Sequence, residues 1–490
     1  MAQLEKELVV DESGSGGPVS ASGEITEIDV KAERRVLSKF DWLVMPQMSI
    51  LVLFAYLDRT NIGNARVFGF EKSTGMTGTD FNNISMFFYI PYVIFETPWV
   101  IAVRRFGPGR VLAVAIVCWS AITIGTGFLH TYNQVIACRI LLGACEAGLF
   151  PSLTFVISGI YPSISQGKRI AVLYISIALS GAVGGLIAYG IQSMGDRHGL
   201  EAWRWLFIIE GIISLVVGAL CWVSLPTTPE TAWFLSKEER ATMAVIRARN
   251  QRFETSDKLS WKQAATALTD PLVWIASLSL FCSSIAMFGF STFLPTLLKG
   301  MKYTSLEANY LSIPVYVLAS IATGITTFVS DRIGKRAVCL IHSPILVMIG
   351  YAIVVGTGNK AVGFFAMFMV AAGVYSYNTV VLTWVSNNVH PDYKRSVAIA
   401  VVVSIGNCAG VVASQIYPIK DEPRYILGNS LSLGFESGAL VGVASMYFLL
   451  KYRMRQKEKL LSQGVESNGK GGRLQPGLQV SVLIGHFSTP

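Results

Sequence analysis

The chain has 490 residues, of which 52% are hydrophobic and 14% charged, with a formal net charge of +9. Soluble domains carry about 25% charged residues, so the composition excludes an ordinary soluble enzyme and asks for a lipid solvent. The basic excess belongs to membrane loops rather than to nucleic-acid binding, because the apolar runs leave no domain to hold a nucleic acid.

Residues 1–39 are polar, contain no apolar core of the kind a signal peptide needs, and read as a disordered cytoplasmic tail. A spanning helix takes about 20 mostly apolar residues. Twelve such stretches follow, near 42–61, 83–102, 111–130, 134–160, 169–193, 204–225, 271–298, 308–330, 337–357, 361–386, 396–418 and 433–451. Residues 40–225 thus form a first six-helix half and 271–455 a second. Between them, 226–270 is a polar loop rich in Lys, Arg and Glu, and 456–490 is a polar tail whose apolar piece, 478–487, is too short to span. Arg34, Arg35, Arg104, Arg105, Lys168, Arg169, the central loop, Arg332, Lys335, Arg336 and the basic run 451–459 all fall on one side. The positive-inside rule then puts both termini and the central loop in the cytoplasm.

An internal repeat ties the halves together. Arg105-Phe-Gly107 recurs as Arg332-Ile-Gly334, 227 positions later, and Lys168-Arg169 recurs as Lys394-Arg395, 226 later. Gly181 and Gly185 recur as Gly406 and Gly410, and Ala147-Gly148 as Ala372-Gly373, each 225 later. The expected fold is therefore all-α: twelve transmembrane helices in two pseudo-symmetric six-helix halves, with a substrate site near the midplane between them.

Charges at membrane depth cost several kcal/mol and face a partner or a wet cavity. Asp58 and Arg59 lie at the far end of span one, Arg139 and Glu146 in span four, Glu96 in span two and Glu210 in span six. Arg139 and Glu146 are two helical turns apart and share a face. Phe88, Tyr89, Tyr92, Phe290, Phe293, Tyr316, Tyr375, Tyr377, Asn378, Asn387 and Asn407 could line a pocket beside them. Seven cysteines without a C-x-x-C pair and five scattered histidines give no metal or cofactor site.

These residues resemble the major facilitator superfamily, and within it the anion:cation symporter family of fungal allantoate, nicotinate, pantothenate and biotin permeases. The resemblance covers about 40–455 and rests on Phe54-Ala-Tyr-Leu-Asp-Arg-Thr-Asn-Ile-Gly63, Phe88-Tyr-Ile-Pro-Tyr-Val-Ile-Phe-Glu-Thr-Pro98, Arg139-Ile-Leu-Leu-Gly-Ala-Cys-Glu-Ala-Gly-Leu-Phe-Pro151, Trp203-Arg-Trp-Leu-Phe-Ile-Ile-Glu-Gly211 and Trp384-Val-Ser-Asn387. It implies that Arg59 holds a substrate carboxylate, that Arg139 adds a cationic contact, and that Asp58 and Glu146 carry the coupled proton. Tyr89, Asn378 and Asn387 are expected to complete the substrate pocket. One departure stands out: the loop after span two reads Val103-Arg104-Arg105, without the acid that Asp331 supplies in the second copy.

The expected function is secondary active transport, by proton-coupled symport of a small organic anion, in a monomer of the plasma membrane. Export of a specialised metabolite on the same fold is the alternative, and a transporter-like nutrient sensor a further one. An enzyme is not expected.

Overall fold

A computed structural model describes residues 8–9, 19–20, 29–226, 228–255, 266–334, 336–389 and 392–462. Apart from one two-residue strand pair (Leu8–Val9 with Val19–Ser20), the described elements are helices.

Span one is Met45–Val67, two Asp80–Phe106, three Pro108–Thr126 and five Ser163–Met194. Span four runs as Tyr132–Glu146 and, after a break, Leu149–Ile160. Span six is Ala202–Ser224, seven Pro271–Gly300, eight Ser305–Ile333, nine Arg336–Gly356 and ten Lys360–Asn388. Span eleven is Asp392–Ala413 and span twelve Ile426–Ser462. Eleven of these helices are long and apolar enough to cross a membrane, and Val397–Ala413 within span eleven is a shorter apolar helix.

Local chemistry sets the helix ends. Asp270 caps span seven by accepting from the Leu272 amide, and Thr304 with Glu307 forms a capping box at span eight. Pro295 inside span seven cannot donate to the Ser291 carbonyl. The Tyr316 hydroxyl of span eight donates to that carbonyl instead, at 3.2 Å.

Three expectations change. Span one continues six residues past 61 to Val67, and every residue from Leu57 to Val67 is buried. Its polar end looks like a loop by hydropathy but packs against other helices, not lipid. The tail read as disordered over 1–39 is helical from Val30, where Val30–Leu43 buries Val36 and Phe40. The central loop contains the helix Lys237–Thr255. Phe40 packs on Phe234 at 5.0 Å, while Lys39 pairs with Glu239 at 2.7 Å and Arg249 with Glu33. We call the side bearing these helices the tail end.

The repeat is visible in contacts. Asp41, just before span one, pairs with Arg169 of span five at 2.7 Å, and Asp270, just before span seven, pairs with Lys394 of span eleven at 2.5 Å. Tyr89 and Tyr316, 227 positions apart, each lie across the seam against a glycine of the other half. Tyr316 faces Gly181 and Tyr89 faces Gly410, where a Cβ would collide with the ring. Small residues thus let the two halves approach as closely as backbones allow.

Polar and aromatic ties between the halves concentrate at the far end. Asn82 donates to the Tyr417 carbonyl at 3.2 Å, Asn309 to Gln192 at 3.0 Å and Gln415 to Asn83 at 3.3 Å. A Cβ on Gly63 would overlap the Thr292 carbonyl oxygen, so spans one and seven touch there through backbone. At the tail end a cavity of about 940 Å³ opens, lined by Arg34, Met45, Ser49, Lys168 and Arg169 among others. Ser49 is seven residues, two turns, below Tyr56 on the same face of span one.

Candidate functional site

Successive side chains on a helix point about 100° apart, so Asp58 and Arg59 address different neighbours. Arg59 turns toward spans two and four. Its Nε lies 3.2 Å from Glu146 Oε2, and its guanidinium sits over Tyr56 at 4.3 Å, Tyr92 at 4.4 Å and Phe88 at 5.2 Å. Glu146 is fully buried and Arg59 nearly so. The pair is joined by one contact only: Arg59 Nη1 and Glu146 Oε1 find no hydrogen-bond partner among the described residues. A bidentate guanidinium–carboxylate pair would use both.

Glu146 ends the first piece of span four. Gly148 follows it, pressed against Trp99, whose indole Nε1 donates to the Ala144 carbonyl at 2.6 Å. The break lets span four bend where the acid sits. Gly143 on the same stretch meets the Phe88 carbonyl, which draws span two close and delivers Phe88 to Arg59.

Asp58 points the other way, into the first half. Its neighbours are Glu210 of span six, Thr123 of span three and Arg139 of span four, and neither carboxylate oxygen meets a donor among the described residues. Asn61 Nδ2 donates to Glu210. Arg139 is buried among Asp58, Glu146 and Glu210 and lies over Phe207 at 5.7 Å. Asp58, Glu146 and Glu210 thus cluster with Arg59 and Arg139, while Glu96, Arg66 and Arg204 are also buried in this half.

The remaining expected site residues separate. Tyr89 stays at the seam, 5.2 Å from Phe88 and 5.2 Å from Phe288 of span seven. Asn378 is not brought to Arg59: its amide accepts from Ser284 and donates to the Val374 carbonyl, both within the second half. Asn387 is also elsewhere. It lies at the tail end of span ten, its side-chain amide beside the Arg336 guanidinium. Arg336 also pairs with Asp331 at 3.1 Å, so the acid-bearing loop copy is locally tied. In the copy lacking the acid, Arg104 lies over Phe155 at 5.0 Å. Glu96 accepts from Asn407 at 3.2 Å, a bond across the halves.

Three groups went unremarked in the sequence. Arg66 is buried near the far end of span one, seven residues after Arg59. Trp99 supports the bend described above. Glu436 of span twelve, 226 positions after Glu210, accepts from Ser283 at 2.9 Å. The repeat offset would have paired Glu436 with Glu210. At the places matching Asp58, Arg59, Arg139 and Glu146, the second half carries Ser283, Ser284, Phe364, Phe365, Ala371 and Ala372, so these four charges have no counterparts at the repeat offset.

Two parallel six-helix bundles, packed across a glycine-relieved seam and holding buried opposite charges, define a multi-pass membrane transporter, not an enzyme. The family model described as "Major Facilitator Superfamily" matches residues 48–414, and the chain belongs to that superfamily. It is 36% identical to the transporter C11D3.18C of Schizosaccharomyces pombe, covering 89% of this chain and 88% of the relative. It is 31% identical to the high-affinity nicotinic acid transporter of Saccharomyces cerevisiae, covering 88% and 80%. Among solved structures it resembles a bacterial homologue of the lysosomal transporter Spinster in an inward-facing, unoccupied conformation. There the identity is 15%, the TM-score 0.63, and the coverage 86% of this chain and 97% of that one. The proton:xylose symporter XylE matches with TM-score 0.64 at 16% identity, covering 82% and 95%. These distant likenesses bear on the fold.

Proposed function

We propose that the chain is a proton-coupled symporter of a small organic anion, with Arg59 as the carboxylate contact and Glu146 as its exchangeable partner. The observation that carries this reading is the incomplete Arg59–Glu146 pair. Arginine stays cationic and offers a planar fork to a carboxylate. Protonating Glu146 neutralises its hold on Arg59, and the substrate carboxylate takes its place. By linkage, proton and anion each tighten the other's binding by the same factor. Burial supports the coupling, because adding an anion to a water-poor cluster of acids calls for a proton to keep its charge unchanged. Asp58, beside Glu210, is the second acid that carries the proton, and Arg139 between them adds a fixed cationic contact.

Tyr56, Tyr92 and Phe88 give the Arg59 site aromatic walls, which suit a flat carboxylate. The nicotinic acid transporter among the relatives supports the same substrate class. Tyr89 closes the site toward the second half. The basic tail end is cytoplasmic in this proposal, so the tied far end faces outside. The division into a first half (40–225), central loop (226–270) and second half (271–455) follows the repeat. One chain contains the whole path, and a monomer in the plasma membrane suffices.

The test is uptake of labelled nicotinate in cells under an imposed proton gradient. Glu146→Gln should abolish accumulation against the gradient while retaining exchange of internal for external substrate. Undiminished accumulation would remove Glu146 from the coupling role.

A further inference from the structure

Arg66 is a buried cation whose hydrogen bonds are mostly unmade among the described residues. Its side chain is 4% exposed. Its Nε pairs with Glu71 at 2.9 Å, but Nη1 and Nη2 have no partner among the described residues. Two free guanidinium nitrogens in a dry place cost several kcal/mol unless another state of the protein uses them.

The location suggests that use. Arg66 lies seven residues after Arg59, so the two share a face of span one about 10 Å apart along its axis. Between them on that face is Gly63, where span one touches the Thr292 backbone of span seven. The aromatic setting repeats as well. Phe88 of span two lies against Arg59, and Phe81, seven residues earlier, lies 4.3 Å from Arg66. The second wall at Arg66 is Phe293 of span seven, 5.7 Å away, contributed by the other half. When the far end opens, span seven leaves with Phe293 and Thr292. Glu71, on the short helix Phe70–Ser73 of the first half, stays and holds the guanidinium plane by its Nε. The free Nη1 and Nη2 then face water as a fork.

We propose that Arg66 is a second anion station, which captures the substrate carboxylate at the open far end and passes it beneath Gly63 to Arg59. This deepens the carboxylate reading above and rests on it. The closed seam drives the anion off Arg66, because Phe293 and the Thr292 carbonyl return to the space beside it.

The test uses the full chain in right-side-out and inside-out membrane vesicles, with labelled nicotinate as probe and nicotinamide as neutral competitor. Arg66→Met should raise the KM for loading from the far face about tenfold, the loss of a charge-assisted contact. The KM for loading from the tail face should stay within about twofold of wild type. Arg66→Lys, which keeps the charge but loses the fork, should fall between. Nicotinamide should not compete at either face. Equal KM changes at both faces, or a change in maximal rate alone, would make Arg66 a structural latch and overturn the station. If Arg66→Met fails to reach the membrane, a wild-type far-face KM in Arg66→Lys overturns it equally. Wild-type vesicles without saturable nicotinate transport at either face would instead overturn the carboxylate reading, and the station with it.

Discussion

Replacing Gly63 by alanine should trap the protein with its far end open. A Cβ at this position would overlap the Thr292 carbonyl oxygen and lie 3.1 Å from the Thr292 carbonyl carbon. Real Cβ atoms keep at least 3.0 Å from such an oxygen, and the obstacle is backbone, which no rotamer change can move. Spans one and seven must part by about 1 Å, in a seam packed as densely as a protein core. Overpacking of this kind costs about 2–3 kcal/mol, which shifts the balance between the two end states by about 30- to 150-fold. The clash exists only while the far end is closed, so the open form bears none of it. The assay is labelling of a cysteine at Ser85, in a background without the native cysteines, by a membrane-impermeant maleimide from the far side. Ser85 is buried one turn beyond Phe81 on the seam face of span two. Gly63→Ala should label many-fold faster than its parent and lose most steady-state uptake. Wild-type labelling and uptake would refute the claim that this backbone contact closes the far end.

Asn407→Ala removes the bond that crosses the halves to Glu96. It should slow transport while leaving the thermal unfolding of the detergent-solubilised protein nearly unchanged, because each half keeps its own packing. Tyr316→Phe strands the Ser291 carbonyl and should cost about 1 kcal/mol in a melting assay, whereas Tyr375→Phe should not have that cause of loss. Glu436→Gln should leave nicotinate accumulation within about twofold of wild type, since among the described residues no guanidinium is paired with that acid and its contact is the Ser283 hydroxyl. At the tail end, burial alone would raise the Asp270 carboxyl, but Arg453, Lys394 and the Leu272 amide outweigh it and hold the group at about 2. A depressed carboxyl stabilises above its unfolded value, near 3.8, and loses that contribution as pH falls toward 2. Melting temperature should therefore show no dependence on this group between pH 5 and 8. Asp270→Ala should lower stability by about 1–2 kcal/mol across that range, after discounting for the exposure of Arg453.

The helices and the repeat were legible because both are written in spacing. Apolar runs of membrane length and matched glycines about 226 positions apart need no knowledge of contacts. Arg59 and Glu146 were legible because a charge at that depth has few innocent explanations. Hydropathy failed where protein replaces lipid as the surroundings: 62–67 read as loop, although Gly63 meets the backbone of span seven and Arg66 is buried. The partners of Asn378 and Asn387 were hidden for a related reason. A polar residue in a span can satisfy its own helix or a neighbour as readily as a substrate, and only the partner decides. The opposite facing of Asp58 and Arg59 follows from helix geometry and was available in the sequence. The neighbours on each side, spans three and six against spans two and four, were not.

The staple formed by Val30–Leu43 and Lys237–Thr255 limits how the two bundles can be joined. Glu33 and Lys39 grip Arg249 and Glu239, so the start of the first bundle is fastened to the piece of chain that leaves it. Most of what looks like slack between the bundles is thus anchored to one of them. At the start of the second bundle, Asp270 is itself held by Lys394 and Arg453. Lengthening the anchored piece between the two gripped helices would therefore change little in how one bundle swings against the other.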